Sequence, residues 1–225
     1  MPVASTGGRC HAADMQIACV LYERFTMLDI VGPFQVFSSL PGTTVEWVAT
    51  EKGPVTDHTG FGQINATATF DEVTDPALVI VPGGIGTETL VPDHLVIPWL
   101  ADVHQRTQWT TSVCTGSLLL AGAGLLTGKA ATCHWLAMDQ LRELGAEPTG
   151  QRVVIHEADR IVTSAGVSSG IDMGLSLVEH MFGSDMAATI QLAIEYDPQP
   201  PVDAGSPEKA APEIQELVRA SFAGM

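Results

Sequence analysis

Residues 109–126 read WTTSVCTGSLLLAGAGLL, and the fold turns on how this stretch changes character at its sixth position. Trp109–Val113 is short, apolar and β-branched, the composition of a buried strand. Thr-Gly-Ser then opens an apolar run of helical length. A strand that becomes a helix within one residue places that residue, Cys114, on a sharp elbow above the carboxyl end of the sheet. The stretch lies in the longest uncharged segment of the chain, Thr107 to Gly128. Its hydroxyls, thiol and glycine (Thr110, Thr111, Ser112, Cys114, Thr115, Gly116, Ser117) fit a buried strand and helix, not a membrane span.

Working outward, the same alternation of strand and helix continues in both directions. On the amino-terminal side, QIACVLY (Gln16–Tyr22) predicts a buried strand. TMLDIVGPFQVFSSL predicts a helix entered at Thr26 with an apolar face through Ile30, Phe34 and Phe37. TVEWVAT (Thr44–Thr50) is a second strand, and the Gly/Thr-rich segment from Gly53 to Phe70 suggests irregular strands or a hairpin. ALVIVPGG (Ala77–Gly84) is an apolar strand running into a glycine turn, followed by a helix from Pro92 to Gln105. On the other side come a brief strand (Ala130–His134), a helix (Trp135–Leu144), a hairpin turning at Glu157–Asp159, and two closing helices in SSGIDMGLSLVEHMF and SDMAATIQLAIEY.

Strands apolar on both faces, alternating with helices, imply an α/β fold with a mostly parallel sheet sandwiched between helices. Ligands in such folds bind outside the carboxyl ends of the strands. Two turns fall there, Pro82-Gly83-Gly84 and Val113-Cys114-Thr115-Gly116. The expected organisation is a disordered leader over 1–14, one α/β domain over 15–197, and a Pro-rich arm with a short helix over 198–225. The leader lacks an apolar core, so a secretory signal is not expected.

The formal net charge of −16, with only 10 Lys and Arg, argues against nucleic acid and against an anionic membrane surface. A small neutral or mildly polar substrate is the better expectation. Cys10, Cys19, Cys114 and Cys133 show neither a CxxC pair nor a metal-knuckle spacing, so all four are expected as thiols in a cytoplasmic protein. The histidines show no ligand spacing, and no Gly-rich dinucleotide or phosphate-binding pattern occurs. Neither a metal nor a cofactor is indicated.

Cys114 at its elbow is the candidate nucleophile, with the helix N-terminus favouring its thiolate. The ordinary alternative is a buried core cysteine. Asp29 stands in an apolar run, Met27-Leu28-Asp29-Ile30-Val31. It suits either a capping box with Thr26 or a desolvated acid/base group beside Cys114, and the residues alone leave both open. Thr115 offers a hydroxyl and an N–H beside the thiol, and the Gly83–Gly84 turn offers further N–H groups toward developing negative charge. His134 is a candidate partner for the thiol or a satisfied core residue. Asp172 is expected as a cap or a hydrogen-bond anchor.

The segments LDIVGPFQVF (Leu28–Phe37), VPGG (Val81–Gly84), TSVCTGSLLLAGAGLLTG (Thr111–Gly128), ATCHW (Ala131–Trp135), SSGID (Ser168–Asp172) and LAIEYDPQPPVDAGSP (Leu192–Pro207) together resemble the ThiJ/PfpI superfamily of elbow-cysteine proteins. Within it the match is closest to the branch that hydrates isonitriles, chiefly through Asp29, the Cys114–Thr115 pair and the EYDPQPP tail. This resemblance implies a flavodoxin-like homodimer that converts R–N≡C to an N-substituted formamide without a cofactor. It assigns the nucleophile to Cys114, the acid/base to Asp29 and an assisting role to Thr115. Cys133 stands where that family tends to carry Thr. Two rival readings are a ligand-sensing module, as in regulators that continue into a basic DNA-binding domain, and a PfpI-like hydrolase or deglycase that pairs its thiol with His or Glu.

Overall fold

The apolar runs form the middle of a sheet. The computed structural model describes residues 15–91 and 94–222, so the expected leader, with Cys10, lies outside the described residues. In chain order the elements are β1 (Met15–Val20), α1 (Met27–Phe37), β2 (Thr43–Ala49), β3 (Gly53–Thr56), β4 (Gln63–Ala66), β5 (Ala68–Thr69), β6 (Leu78–Val81), α2 (Thr87–Leu90), α3 (Val96–Val103), β7 (Trp109–Val113) and α4 (Gly116–Gly122). There follow β8 (Ala130–Ala131), a 3-10 turn (Trp135–Ala137), α5 (Met138–Glu143), β9 (Glu147–Pro148), β10 (Val153–His156), β11 (Ile161–Ser164), α6 (Ser169–Phe182), α7 (Ser184–Ala193) and α8 (Pro212–Phe222).

The main sheet has seven strands in the order β10-β11-β7-β6-β1-β2-β5. Every neighbouring pair is parallel except β10–β11, the expected hairpin. β6 and β7 are buried along their whole length, because helices cover both faces. α1 and α6 pack together on one side with α7 outside them, while α2, α3 and α5 gather around α4 on the other. The chain leaves β1 toward β2 on one side and resumes through β6 and β7 on the other. That reversal makes the β1/β6 junction the switch point of a doubly wound, flavodoxin-like sheet. Among the described residues no helix is long and apolar enough to cross a membrane.

Local chemistry moves several expected boundaries. The helix expected from Pro92 to Gln105 is α3, which begins only at Val96, where the Val96 N–H donates to the His94 ring Nδ1 at 3.1 Å. α4 stops at Gly122, and Gly124 follows with a φ of +76° that a helix does not use. β8 is two residues long and pairs with β9 outside the main sheet. The next backbone groups go instead to side chains: the Thr132 N–H donates to Thr163 Oγ1 at 3.0 Å, and the Thr132 carbonyl accepts from Ser117 Oγ at 2.7 Å. The carboxyl-terminal arm folds back, with the Arg219 guanidinium 4.5 Å above the Trp135 ring and Phe222 5.6 Å from His134.

Gly116, first residue of α4, lies against the end of β6. A Cβ there would come within 2.4 Å of the Val81 carbonyl oxygen and 2.7 Å of that of Pro82. Helix propensity alone favours Ala over Gly by about 1 kcal/mol, so the two effects predict opposite signs. Gly116→Ala is expected to lower stability by about 1–3 kcal/mol in urea unfolding. Gly150→Ala, where nothing lies within 4 Å of the added methyl, is expected to stay within about 0.5 kcal/mol of the parent. A stabilised Gly116→Ala protein would contradict the close approach.

Candidate active site

Three neighbouring strand ends assemble the site. β1 leads through Tyr22 and Thr26 into α1, whose first turn carries Asp29. β6 leads into Pro82-Gly83-Gly84. β7 leads into Cys114, which takes a φ of +59°. An L-residue adopts that conformation only when its surroundings compel it. Here the Cys114 N–H is tied to the carbonyl oxygens of Ala165 at 2.9 Å and Ser164 at 3.2 Å, and the chain must turn at once into α4.

Asp29 is fully buried. Its Oδ2 accepts the Gly83 N–H at 2.9 Å, while Oδ1 is buried without a formed hydrogen bond. Burial raises the carboxyl to about 7, against the opposing pull of the Gly83 N–H and the Cys114 thiol. The geometry separates the two roles left open for this residue. Thr26 makes no side-chain cap, and its own N–H donates to the Gly83 carbonyl at 2.8 Å rather than to Asp29. Asp29 therefore bridges α1 to the glycine turn and faces the thiol; it does not cap its helix.

Cys114 is 5% exposed and lines a cavity of about 680 Å³. Burial pushes its thiol well above the ordinary range and the Asp29 charge pushes the same way, while the backbone N–H groups of Val167 and Thr115 pull it down. The N–H groups at the start of α4 act in the expected direction, and burial outweighs them, so the net shift of the thiol is upward. Thr115 Oγ1 accepts the Gly84 N–H at 2.8 Å and donates to the Gly84 carbonyl at 3.2 Å. Both N–H groups of the glycine turn are therefore committed, Gly83 to Asp29 and Gly84 to Thr115. The donors that reach the sulfur are those of Thr115 and Val167.

His134 also lines the cavity, but no hydrogen bond joins it to Cys114. Its Nδ1 accepts the Leu136 N–H at 3.4 Å, and burial lowers its pKa. Cys133 opens instead onto a neighbouring cavity, its thiol 3.3 Å from the His134 carbonyl oxygen and pushed up by burial to about 12. Asp172 anchors rather than caps: it accepts from Arg152 Nε at 2.6 Å and from the Tyr196 hydroxyl at 3.1 Å. Among the described residues, Cys19, Cys114 and Cys133 are free thiols, and no three His, Cys, Asp or Glu converge as a metal site requires.

One residue escaped the sequence reading. Tyr22 ends the first apolar run, where it reads as one more core residue. Its hydroxyl donates to the Pro82 carbonyl at 2.7 Å, and burial together with the Asp29 and Cys114 charges holds the phenol well above its ordinary pKa. It pins the β6 turn against the pair. The only signal was a polar tip at the end of an otherwise apolar strand.

Residues 15–180 match the model of the DJ-1/PfpI family. The chain is 39% identical over 205 residues to an isonitrile hydratase of Pseudomonas putida, covering 91% of this chain and 89% of that protein. It is 38% identical to a ThiJ/PfpI family protein from Pseudomonas syringae, whose crystal structure matches with a TM-score of 0.88 over 99% of this chain and 93% of that one. A weaker similarity, 27% over 162 residues, links it to an HTH-type transcriptional regulator of Pseudomonas aeruginosa, covering 71% of this chain and 48% of the regulator.

A buried carboxyl raised from 3.8 to about 7 leaves a signature in stability. Between those values the unfolded chain has lost the proton that the folded protein still holds, so Asp29 favours the fold fully at low pH. That contribution is lost as pH rises through the window, by roughly 4 kcal/mol in total. Asp29→Asn, which does not ionise, is expected to gain stability relative to the parent from about pH 4 to pH 7 and to hold that gain above. Urea unfolding across this range measures it. A parent-to-variant difference that is constant with pH would contradict the raised pKa.

Proposed function

The chain belongs to the DJ-1/PfpI family, and from that premise we propose that it is an isonitrile hydratase, a hydro-lyase that adds water to R–N≡C to give an N-substituted formamide. The observation that carries the reading is the buried pair of Asp29, raised to about 7, and Cys114, its thiol beside that carboxyl and opening onto the cavity. A carboxyl titrating near neutrality can both take and return a proton at working pH. The Cys114 sulfur bonds to the terminal carbon of the isonitrile, and the thiol proton, relayed by Asp29, goes to the same carbon. The product of this step is a thioimidate, R–N=CH–S–Cys114.

Water then attacks the thioimidate carbon. One of its protons goes to nitrogen, and as the C–S bond breaks the hydroxyl proton returns to sulfur. Formamide and free thiol are released, so the route needs only the two side chains and water. Thr115 and Val167 steady negative charge on sulfur through their N–H groups. Gly83 and Gly84 hold Asp29 and Thr115 in place. Hydrolases and deglycases of this kind usually pair the thiol with an adjacent histidine or a nearby glutamate, whereas Thr115 follows Cys114 here and His134 lines the cavity without bonding the thiol.

The same reading includes a cytoplasmic homodimer. It is supported by the free thiols and by an apolar depression of about 520 Å³ where Leu28, Val31, Phe34, Trp47, Ile64 and Ile171 meet. Sedimentation at micromolar concentration is expected to give about twice the 23.7 kDa chain mass; an active monomer would remove the dimer from the account.

Incubation with a simple alkyl isonitrile is expected to yield the formamide. Cys114→Ala is expected to abolish it, whereas Cys19→Ala and Cys133→Ala keep most activity. Asp29→Asn is expected to lose about 10²–10⁴-fold in kcat while remaining folded. Similarity to the transcriptional regulator supports a sensing module as the rival, and that reading predicts ligand binding with no formamide at all. Full turnover by Cys114→Ala would overturn thiol catalysis.

A further inference from the structure

The cavity above Cys114 holds about 680 Å³, far more than the two-atom isonitrile group fills, so most of it serves the substituent. Part of its wall comes from α8, which sends Arg219 and Phe222, three residues apart and so on one helix face, to the cavity beside His134. The Arg219 guanidinium lies 4.5 Å above the Trp135 ring. This stacking fixes the plane of the fork and leaves its N–H edges available.

The protein is short of cations and rich in carboxylates, so the setting of Arg219 is unusual within it. Among the described residues, six Lys or Arg side chains sit on Asp or Glu, and Arg160 binds the carbonyl oxygens of Thr107 and His104. Arg219 forms no ion pair among the described residues and rests on an aromatic ring at the edge of the substrate cavity. Arg24 and Glu88 also line the cavity, one charge of each sign, and Arg219 is the cation on the Trp135, His134 and Phe222 side of the wall. Phe222, stacked 5.6 Å from His134, gives the same wall an apolar stretch.

We infer that Arg219 is the anchor for an anionic substituent, and that the preferred substrates are isonitriles carrying a carboxylate at the end of an apolar chain. A planar carboxylate matches the guanidinium fork, and the apolar chain passes along Phe222 toward Cys114. This assignment of substrate class rests on the hydratase reading. Arg219 acts as a specificity-determining residue and takes no part in the bond changes.

The test compares a straight-chain ω-isocyano carboxylate with its neutral primary amide, on the full chain and on Arg219→Gln. The parent is expected to favour the carboxylate by about tenfold in kcat/KM, a charge-assisted hydrogen bond discounted for exposure. Arg219→Gln is expected to erase that preference while turning over the amide within about twofold of the parent. An absent preference in the parent, or equal losses on both substrates in the variant, would overturn the inference. If neither compound is hydrated, the hydratase reading fails, and the anchor is judged by protection of Cys114 from iodoacetamide. Protection by hexanoate but not hexanamide, lost in Arg219→Gln, supports the anchor; equal protection by the two overturns it.

Discussion

The hydrogen bond from the Gly83 N–H to Asp29 Oδ2, 2.9 Å long and cut off from water, is the contact on which the site depends. It joins the first turn of α1 to the turn after β6, and it gives a buried carboxyl one partner without satisfying the other oxygen. A fully hydrogen-bonded carboxylate ionises readily, and a wholly unpartnered one costs several kcal/mol to bury. That backbone donor and the Cys114 thiol, set against desolvation, leave the group between those limits, at about 7. The fold accepts a loss of stability at neutral pH and in return holds, beside the Cys114 thiol, a carboxyl that changes protonation near neutrality.

The surrounding structure keeps that balance in place. Parallel pairing of β1 with β6 and of β6 with β7 brings Asp29, the glycine turn and Cys114 together at the middle of the sheet's carboxyl edge. Tyr22 ties the Pro82 carbonyl from below, and Thr115 clasps Gly84 through both its donor and its acceptor. The absence of bulk at Gly83 is part of the same fit, since a Cβ there would lie 2.5 Å from the Thr115 nitrogen. The three strand ends form one interlocked unit around the sulfur, so a change to any of them moves the others.

The strands and the elbow were legible because they rest on local rules. Trp109–Val113 is a strand with the boundaries its composition predicts, and an abrupt strand-to-helix change marks Cys114 without any knowledge of neighbours. Boundaries set by side-chain partners were less visible: α3 starts at a His94 contact, and β8 ends where Thr163 and Ser117 take the backbone groups of Thr132. At the site, Asp29 was ambiguous because a capping box and a buried acid share one spacing, and only the position of Gly83 from 54 residues away separates them. The pull of the helix terminus on the Cys114 thiol was legible, but the opposing burial was not, because burial is a property of the whole fold. Tyr22 and the Val167 N–H lay beyond reach for the same reason, as did the return of α8 over the cavity.

The central claim is that the sulfur of Cys114 and a proton handled by Asp29 both reach the isonitrile carbon. The most direct measurement is a single turnover with excess protein, quenched in acid within the first milliseconds to seconds and followed by mass spectrometry of the cysteine-bearing peptides. The account predicts a transient gain equal to one isonitrile molecule on the peptide containing Cys114, forming and decaying at rates consistent with formamide release. It predicts that Asp29→Asn builds this adduct far more slowly, although its Cys114 still reacts with iodoacetamide. Formamide released with no adduct on Cys114, or an Asp29→Asn protein that forms the adduct at the parent's rate, would contradict it.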